Sequence, residues 1–157
     1  MTPQQAFARL SALCARSEHC QHDVLEKMRQ WGVAPEAQPQ VLARLVEGRY
    51  VDDERFARAF VSDKVHYNKW GRRKVEQALL QRHVGSAIVA RVLDEVADSE
   101  YVAILTPLLR QKSRSVRAAS IRERTMKLTR FALSRGFTID IIRQCLEDAA
   151  DEDDFLD

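Results

Sequence analysis

The chain of 157 residues contains few residues that interrupt regular structure, with only five glycines and four prolines. It has no run of about eighteen apolar residues, and its N-terminal segment lacks the basic and apolar regions of a secretion signal. Its three cysteines are odd in number and form no Cys-x-x-Cys pair, which fits a reducing compartment better than a disulfide framework. We therefore expect a cytoplasmic protein that is not bound to a membrane.

Motifs for catalysis are also missing from the sequence. There is no glycine-rich phosphate loop, no Gly-x-Ser-x-Gly element and no His-x-x-x-His pair. Asp52, Asp53 and Glu54 are adjacent and would diverge on a helix, so they fit the positive end of a helix dipole better than a metal centre. Four side chains of metal-binding type crowd one interhelical turn without zinc-finger spacing: Cys14, His19, Cys20 and His22. We expect neither enzymatic activity nor a cofactor or metal site.

Charge is strongly segregated, although the formal net charge is only +2. Between residues 110 and 135, nine lysines and arginines accompany a single acidic residue, Glu123. The segment 147–157 instead holds seven acidic residues and no basic one. Such segregation is typical of a polyanion-binding surface with an acidic arm, and a solvated mixed surface is the alternative.

The segment 48–84 carries the most specific pattern in the chain. Asp52 is placed to cap a helix, and Val51 and Phe56 are spaced to form a hydrophobic staple. The order Gly48-Arg49-Tyr50-Val51-Asp52-Asp53-Glu54-Arg55-Phe56-Ala57, followed by Gly71-x-x-Lys74-Val75-x-x-Ala78-Leu79, resembles the central signature of the RecX family. The sequence departs from that signature at Ala78, where the family often has glutamate, and at His83, where it usually has glycine.

The resemblance implies an all-α protein of three tandem three-helix (helix-turn-helix-like) repeats that form a curved, elongated body. It implies a monomer that binds the RecA filament on single-stranded DNA, with weak, non-specific affinity for single-stranded DNA alone. The resemblance further implies that this binding inhibits the ATPase, strand exchange and co-protease activities of RecA. The alternative is a helix-turn-helix transcription regulator, because three-helix units also read duplex DNA.

Internal repetition supports three units with a period of about fifty residues. Three segments align: Val24-x-x-x-Met28-x-x-x-Gly32-Val33, Val75-x-x-x-Leu79-x-x-x-His83-Val84 and Leu128-x-x-x-Ala132-x-x-x-Gly136-Phe137. The helices that follow them carry the apolar pairs Leu42 and Val46, Val89 and Leu93, and Ile142 and Leu146. We predict repeats at residues 1–48, 49–97 and 98–150, and an acidic tail at 151–157.

The third repeat departs most from this pattern. Pro107 is predicted to kink its first helix or to split it, because proline removes a backbone donor. The segment 113–115 is predicted to be a linker or mobile loop, and a long basic helix should follow from about Ala118 to Arg135. We expect Phe155 and Leu156 to anchor the acidic tail transiently over the basic surface of this repeat, and a disordered, solubilising tail with no contact to the body is the alternative.

Aromatic and basic residues alternate at the turn before the second helix of the middle repeat, where Tyr67 and Trp70 accompany several cations. This combination can stack on bases and contact phosphates, and packing of Trp70 within its own repeat is the alternative. Phosphate would also be favoured by the helix N-terminus at Arg72. The candidate nucleic-acid or filament contacts are Lys69, Trp70, Arg72, Arg73, Lys74, Arg114, Arg117, Arg122, Arg124, Lys127 and Arg130.

Overall fold

The computed structural model describes residues 1–152, and within them it contains nine α-helices and no strand. In chain order these helices are α1 Pro3–Arg16, α2 Gln21–Gln30, α3 Gln38–Glu47, α4 Asp53–His66, α5 Arg72–Gln81, α6 Ser86–Asp94, α7 Asp98–Ser115, α8 Ile121–Ser134 and α9 Ile139–Glu152. The predicted all-α class is confirmed. Within the same residues, none of the helices is both long enough and apolar enough to cross a bilayer.

The predicted repetition is visible in how α2, α5 and α8 end. Each is followed by a residue with positive φ, namely Gly32 at 71°, His83 at 59° and Gly136 at 94°. The next residue is buried each time, and its N–H donates to the carbonyl five residues earlier: Val33 to Met28 at 3.0 Å, Val84 to Leu79 at 3.3 Å and Phe137 to Ala132 at 3.2 Å. This is the Schellman pattern of hydrogen bonding, which satisfies carbonyls at a helix end. The three aligned segments are therefore structurally equivalent.

The helix start predicted at Asp52 is also confirmed. Oδ1 of Asp52 accepts a hydrogen bond from the Arg55 N–H at 3.0 Å at the beginning of α4. Val51 and Phe56, the two residues of the expected staple, are both buried. At α1, Thr2 and Gln5 form the reciprocal pair of a capping box.

The third repeat is more regular than the sequence predicts. Helix α7 runs unbroken through Pro107 and includes residues 113–115, so the predictions of a split helix and of a linker at that place are wrong. Proline leaves the carbonyl of Ala103 without its helical donor, but Ala103 is exposed to water, and Leu105 and Leu109 are fully buried on the opposite side. The connection lies instead at residues 116–120, and α8, at 14 residues, is longer than α2 and α5 at 10 each, as predicted.

Helix α3 differs from the predicted pairing by one position. Val41 and Leu45 are buried, whereas Val46 is 40% exposed. Val41 and Leu45, and not Leu42 and Val46, therefore correspond to Val89 and Leu93 of α6. Helix α9 continues to Glu152, and the rest of the predicted acidic tail, residues 153–157, lies outside the described residues.

The chain forms two compact units. Unit 1 comprises residues 1–60 and 78–92, and unit 2 comprises residues 61–77 and the described chain from residue 93 onward. In unit 1, α1 and α2 both contact α3 around a core that includes Leu10 and Met28. In unit 2, α7, α8 and α9 contact one another, and Leu105, Leu128 and Ile142 are fully buried. Every candidate contact predicted from the sequence lies in unit 2.

Candidate nucleic-acid interface

The first group of candidate residues, Lys69, Trp70, Arg72, Arg73 and Lys74, is called here the turn cluster. Three hydrogen bonds fasten its backbone to the turn between α8 and α9. The N–H of Gly71 donates to the Arg135 carbonyl at 2.8 Å, and the N–H of Arg73 donates to the Gly136 carbonyl at 3.0 Å. Nη2 of Arg135 donates to the Asn68 carbonyl at 2.9 Å. The turn cluster is thus held at a fixed place on unit 2.

Two glycines permit this close approach of two backbone segments. A Cβ atom on Gly71 would lie 2.3 Å from the backbone nitrogen of Phe137, and one on Gly136 would lie 2.3 Å from Cβ of Lys74. Neither separation is sterically possible. The glycine that forms part of the signature in 71–79 is therefore required for contact with the α8–α9 turn.

The second group of candidate residues, Arg114, Arg117, Arg122, Arg124, Lys127 and Arg130, is called here the α8 cluster. Most of its members lie near the start of α8, whereas the turn cluster contacts the other end of that helix. Fourteen residues of α-helix span about 20 Å. Unit 2 therefore presents basic residues at both ends of α8, with Arg130 between them.

Several side chains of the turn cluster are engaged in intramolecular contacts. Arg72 forms an ion pair with Asp94, with 2.7 Å between Nη2 and Oδ1. Trp70 is half-buried, with the ammonium groups of Lys64 and Lys74 5.2 and 4.6 Å from its ring centroid. These cation–π contacts favour the packing interpretation of Trp70 over base stacking.

Two members of the α8 cluster are engaged in the same way. Nη1 of Arg124 donates to the carbonyl of Ser113 and to its hydroxyl at 3.1 Å. Nζ of Lys127 donates to the Arg117 carbonyl at 2.6 Å and lies 3.2 Å from a carboxylate oxygen of Glu123. These bonds connect the end of α7 and the following segment to α8.

The remaining six basic residues of the two clusters are exposed, and no side-chain partner for them occurs among the described residues. They are Lys69, Arg73, Arg114, Arg117, Arg122 and Arg130. Their donors are available to an external partner.

Glu123, the single acidic residue of the 110–135 segment, is occupied by local contacts. The N–H of Ala119 donates to its carboxylate at 2.9 Å, and its own N–H donates to the Ser120 hydroxyl at 3.1 Å. The Ala119 amide and the Lys127 ammonium hold the pKa of Glu123 below its usual range. The carboxylate therefore stays ionised as part of the helix cap.

Sequence reasoning missed one group of exposed apolar side chains. On α8, Met126 and Leu133 are 48% and 46% exposed, and their spacing places them on one face with Arg122 and Arg130. These four residues are called here the α8 stripe. Tyr67, which the sequence already places among the aromatic and basic residues of the turn, directly follows α4 and is 82% exposed. The spacing of residues 122, 126, 130 and 133 indicates the stripe, whereas the charge pattern of this segment does not.

The crowded Cys and His residues of unit 1 have structural contacts. Cys20 is fully buried at the start of α2, and burial raises the pKa of its thiol to about 12. The ring of His22 stacks on that of His83 at 4.2 Å, and His19 contacts the Ser17 hydroxyl. Among residues 1–152, no group of three His, Cys, Asp or Glu side chains is arranged to hold a metal ion.

Comparison with known families identifies this arrangement of helices. Two family models match the chain, "RecX, second three-helix domain" at residues 52–93 and "RecX, third three-helix domain" at residues 98–146, and together they cover more than half of it. The chain belongs to the RecX family. Its α4–α6 and α7–α9 thus correspond to the second and third domains of RecX proteins.

Curated relatives agree with this assignment. "Regulatory protein RecX" of Halorhodospira halophila is 31% identical over 142 residues, covering 90% of this chain and 86% of the relative. The proteins of the same name from Bacillus cytotoxicus and Lactobacillus johnsonii are 25% and 29% identical, over 96% and 74% of this chain. The chain spans about half the length of these last two relatives, 56% and 43%.

Solved RecX structures share the fold. The crystal structure of RecX from Lactobacillus salivarius superposes with a TM-score of 0.86 at 16% identity, covering 93% of this chain and 95% of that one. A second structure, "Crystal structure of regulatory protein RecX", gives a TM-score of 0.85 at 17% identity, covering 92% and 71%. The tandem three-helix architecture predicted from the sequence is confirmed.

Proposed function

We propose that this chain binds the RecA filament on single-stranded DNA and inhibits its ATPase, strand exchange and co-protease activities. Membership of the RecX family carries the proposal, and the name "Regulatory protein RecX" of its relatives supports a regulatory role. This chain spans only about half the length of several of those relatives, so the activity of the whole relative is itself part of the proposal.

The surface of unit 2 offers contacts for both components of such a filament. Lys69 and Arg73 present cations without intramolecular partners among the described residues, which suits phosphates of a single strand. The α8 stripe combines arginine with exposed methionine and leucine, a composition that suits a protein–protein interface, where arginine and methionine are enriched. We assign Lys69 and Arg73 of the turn cluster to nucleic acid and the α8 stripe to an acidic and partly apolar protein surface.

The direct test is the rate of ATP hydrolysis by RecA on single-stranded DNA, measured with increasing amounts of this protein. We expect the wild-type protein to lower the rate and to hydrolyse no ATP when RecA is omitted. A RecA rate that stays constant up to saturating protein would overturn the proposal.

Two double variants separate the assigned contacts. Lys69→Ala with Arg73→Ala should weaken binding to single-stranded DNA and lower the salt slope by about 0.7 for each phosphate that is no longer bound. Arg122→Ala with Arg130→Ala should weaken inhibition of RecA while binding to single-stranded DNA alone changes less. Because these four side chains have no partner among the described residues, thermal stability should change little.

A matched control removes the same charge elsewhere. Arg16 and Arg143 are exposed arginines that belong to neither cluster and have no side-chain partner among residues 1–152. Arg16→Ala with Arg143→Ala should inhibit RecA as well as the wild type does. An equal loss of inhibition in this control would attribute the effects to net charge rather than to a defined surface.

The alternative, a sequence-specific duplex reader, gives a different result. A helix-turn-helix regulator protects a defined duplex site and distinguishes it from other sequences. We expect this protein to show no such protection and to prefer the RecA filament to any duplex. A protected site in genomic DNA fragments would decide for the alternative.

A further inference from the structure

Tyr67 is the most exposed aromatic residue among those described. It follows α4 directly and is 82% exposed, whereas the other two tyrosines, Tyr50 and Tyr101, are 38% and 2% exposed. A single exposed aromatic side chain is not unusual on a protein surface. Tyr67 differs from an ordinary exposed aromatic residue in its fixed backbone and in its charged neighbours.

The backbone around Tyr67 is held firmly. The Tyr67 N–H donates to the Asp63 carbonyl at 2.9 Å, and the Trp70 N–H donates to the Lys64 carbonyl at 3.0 Å. The carbonyl of Asn68, the next residue, accepts from Arg135. Tyrosine has only two side-chain torsions, and the backbone that carries this ring is already fixed, so little affinity is spent on ordering it.

The local charge is positive. Lys69 and Arg73 follow in the same segment, both exposed and without a side-chain partner among the described residues. Asp63, the acidic residue nearest to Tyr67 in the sequence, has a carboxylate oxygen 3.8 Å from the ammonium group of Lys64. Trp70, the other aromatic residue of this segment, is half-buried beside Lys64 and Lys74. The ring that remains accessible beside these two cations is therefore Tyr67.

We propose that Tyr67 stacks on an unpaired nucleobase of single-stranded nucleic acid while Lys69 and Arg73 contact the neighbouring phosphates. The inference rests on the nucleic-acid contact in the proposed function and names the residue that would favour single strands over duplex. Bases in a duplex are covered by their neighbours, whereas every base of a flexible single strand has an accessible face. The preference is therefore for strand state and not for sequence.

Binding to two oligonucleotides of equal length and charge tests the proposal. One is oligo(dT), and the other has the same sugar–phosphate backbone without bases. Fluorescence anisotropy at low salt compares the full-length wild type with Tyr67→Ala, Tyr67→Phe and the control Tyr50→Ala. Tyr50 is a partly exposed tyrosine of unit 1 that packs edge-on against Phe7.

We expect the wild type to prefer oligo(dT) to the abasic strand. Tyr67→Ala should weaken binding to oligo(dT) by about 5- to 150-fold, the range for loss of one base–aromatic stack, and leave binding to the abasic strand unaffected. Tyr67→Phe keeps the ring and should retain the preference. Tyr50→Ala should bind both strands as the wild type does.

Three results would overturn the proposal. They are absence of a preference for oligo(dT) in the wild type, unchanged oligo(dT) binding by Tyr67→Ala, and an equal loss of binding on both strands. If the second of these results is accompanied by loss of RecA inhibition, the ring is assigned to a protein surface instead. Failure of the proposed function is distinguished from failure of this inference by the ATPase assay, because the wild-type protein would then leave RecA ATPase activity unchanged.

Discussion

Replacing Gly71 with alanine tests whether contact with the α8–α9 turn holds the turn cluster in place. The new Cβ would lie 2.3 Å from the Phe137 nitrogen and 2.4 Å from both the Gly136 carbonyl carbon and Cα of Phe137. All three are backbone atoms, so no side chain can move aside to accommodate it. The two segments must separate by about 1 Å to reach an ordinary contact, which breaks or lengthens the hydrogen bonds between them.

The cost follows from those bonds. Three hydrogen bonds join the segments, from Gly71, Arg73 and the Arg135 side chain. A typical intramolecular hydrogen bond contributes about 1 kcal/mol net, so Gly71→Ala should lower the free energy of unfolding by about 3 kcal/mol. Gly85 is the matched control, because a Cβ there meets nothing within 4 Å. Gly85→Ala should stay within about 1 kcal/mol of the wild type and can be stabilising.

Urea unfolding followed by circular dichroism measures both variants. Gly71→Ala should shift the midpoint to lower urea with a similar slope, and it should bind single-stranded DNA more weakly at temperatures where it is folded. If Gly71→Ala and Gly85→Ala unfold at the same urea concentration, the close approach of the two turns does not contribute to stability.

Three further predictions follow from other contacts. Burial raises the pKa values of Cys20 and Tyr101 to about 12, and the unfolded chain loses these protons first, at about pH 9 and pH 10. Their contribution to stability is therefore complete below about pH 9 and is lost as pH rises toward 12, which unfolding at pH 8 and pH 10.5 will measure. Arg124→Ala should lower the free energy of unfolding by about 1–3 kcal/mol because it removes bonds to Ser113, whereas the exposed Arg122→Ala should be nearly neutral; thermal melts compare them. Because the acidic tail is expected to cover the basic surface of the third repeat, truncation after Ala150 should raise non-specific affinity for single-stranded DNA several-fold at low salt. The difference in affinity between the truncated and full-length proteins should shrink across a salt titration.

The repeated helix ends were predictable because they depend on local chemistry. A positive φ followed by a buried apolar residue leaves a recognisable sequence pattern, and the three segments share it even where His83 replaces glycine. The pairing in α3 was misplaced by one residue because Val41 and Leu42 are adjacent and either could start an apolar face. Burial shows that Val41 and Leu45 form it. Periodicity alone does not select between two neighbouring apolar residues.

The error at residues 113–115 has a tertiary cause. Serine and arginine in succession are typical of a loop, but Ser113 is buried in the last turns of α7 and accepts hydrogen bonds from Arg124. That contact joins residues eleven positions apart on different helices. The conformational propensities of residues 113–115 carry no information about this contact with Arg124, so the sequence predicts a loop where the structure extends the helix.

The same limit applies to the candidate interface, where the sequence identified the charges but not their partners. Arg72 and Asp94 are 22 residues apart, and Arg135 and Asn68 are 67 apart. A donor bound to an internal carboxylate or carbonyl must lose that partner before it can bind a phosphate, so its net gain on binding is small. A cation without such a partner gives up only water. Alanine substitution should therefore divide the basic residues into two classes, with Arg72, Arg124 and Lys127 affecting mainly stability. Lys69 and Arg73 should affect mainly binding and its salt dependence. A count of positive charges in the sequence does not reveal this division into two classes.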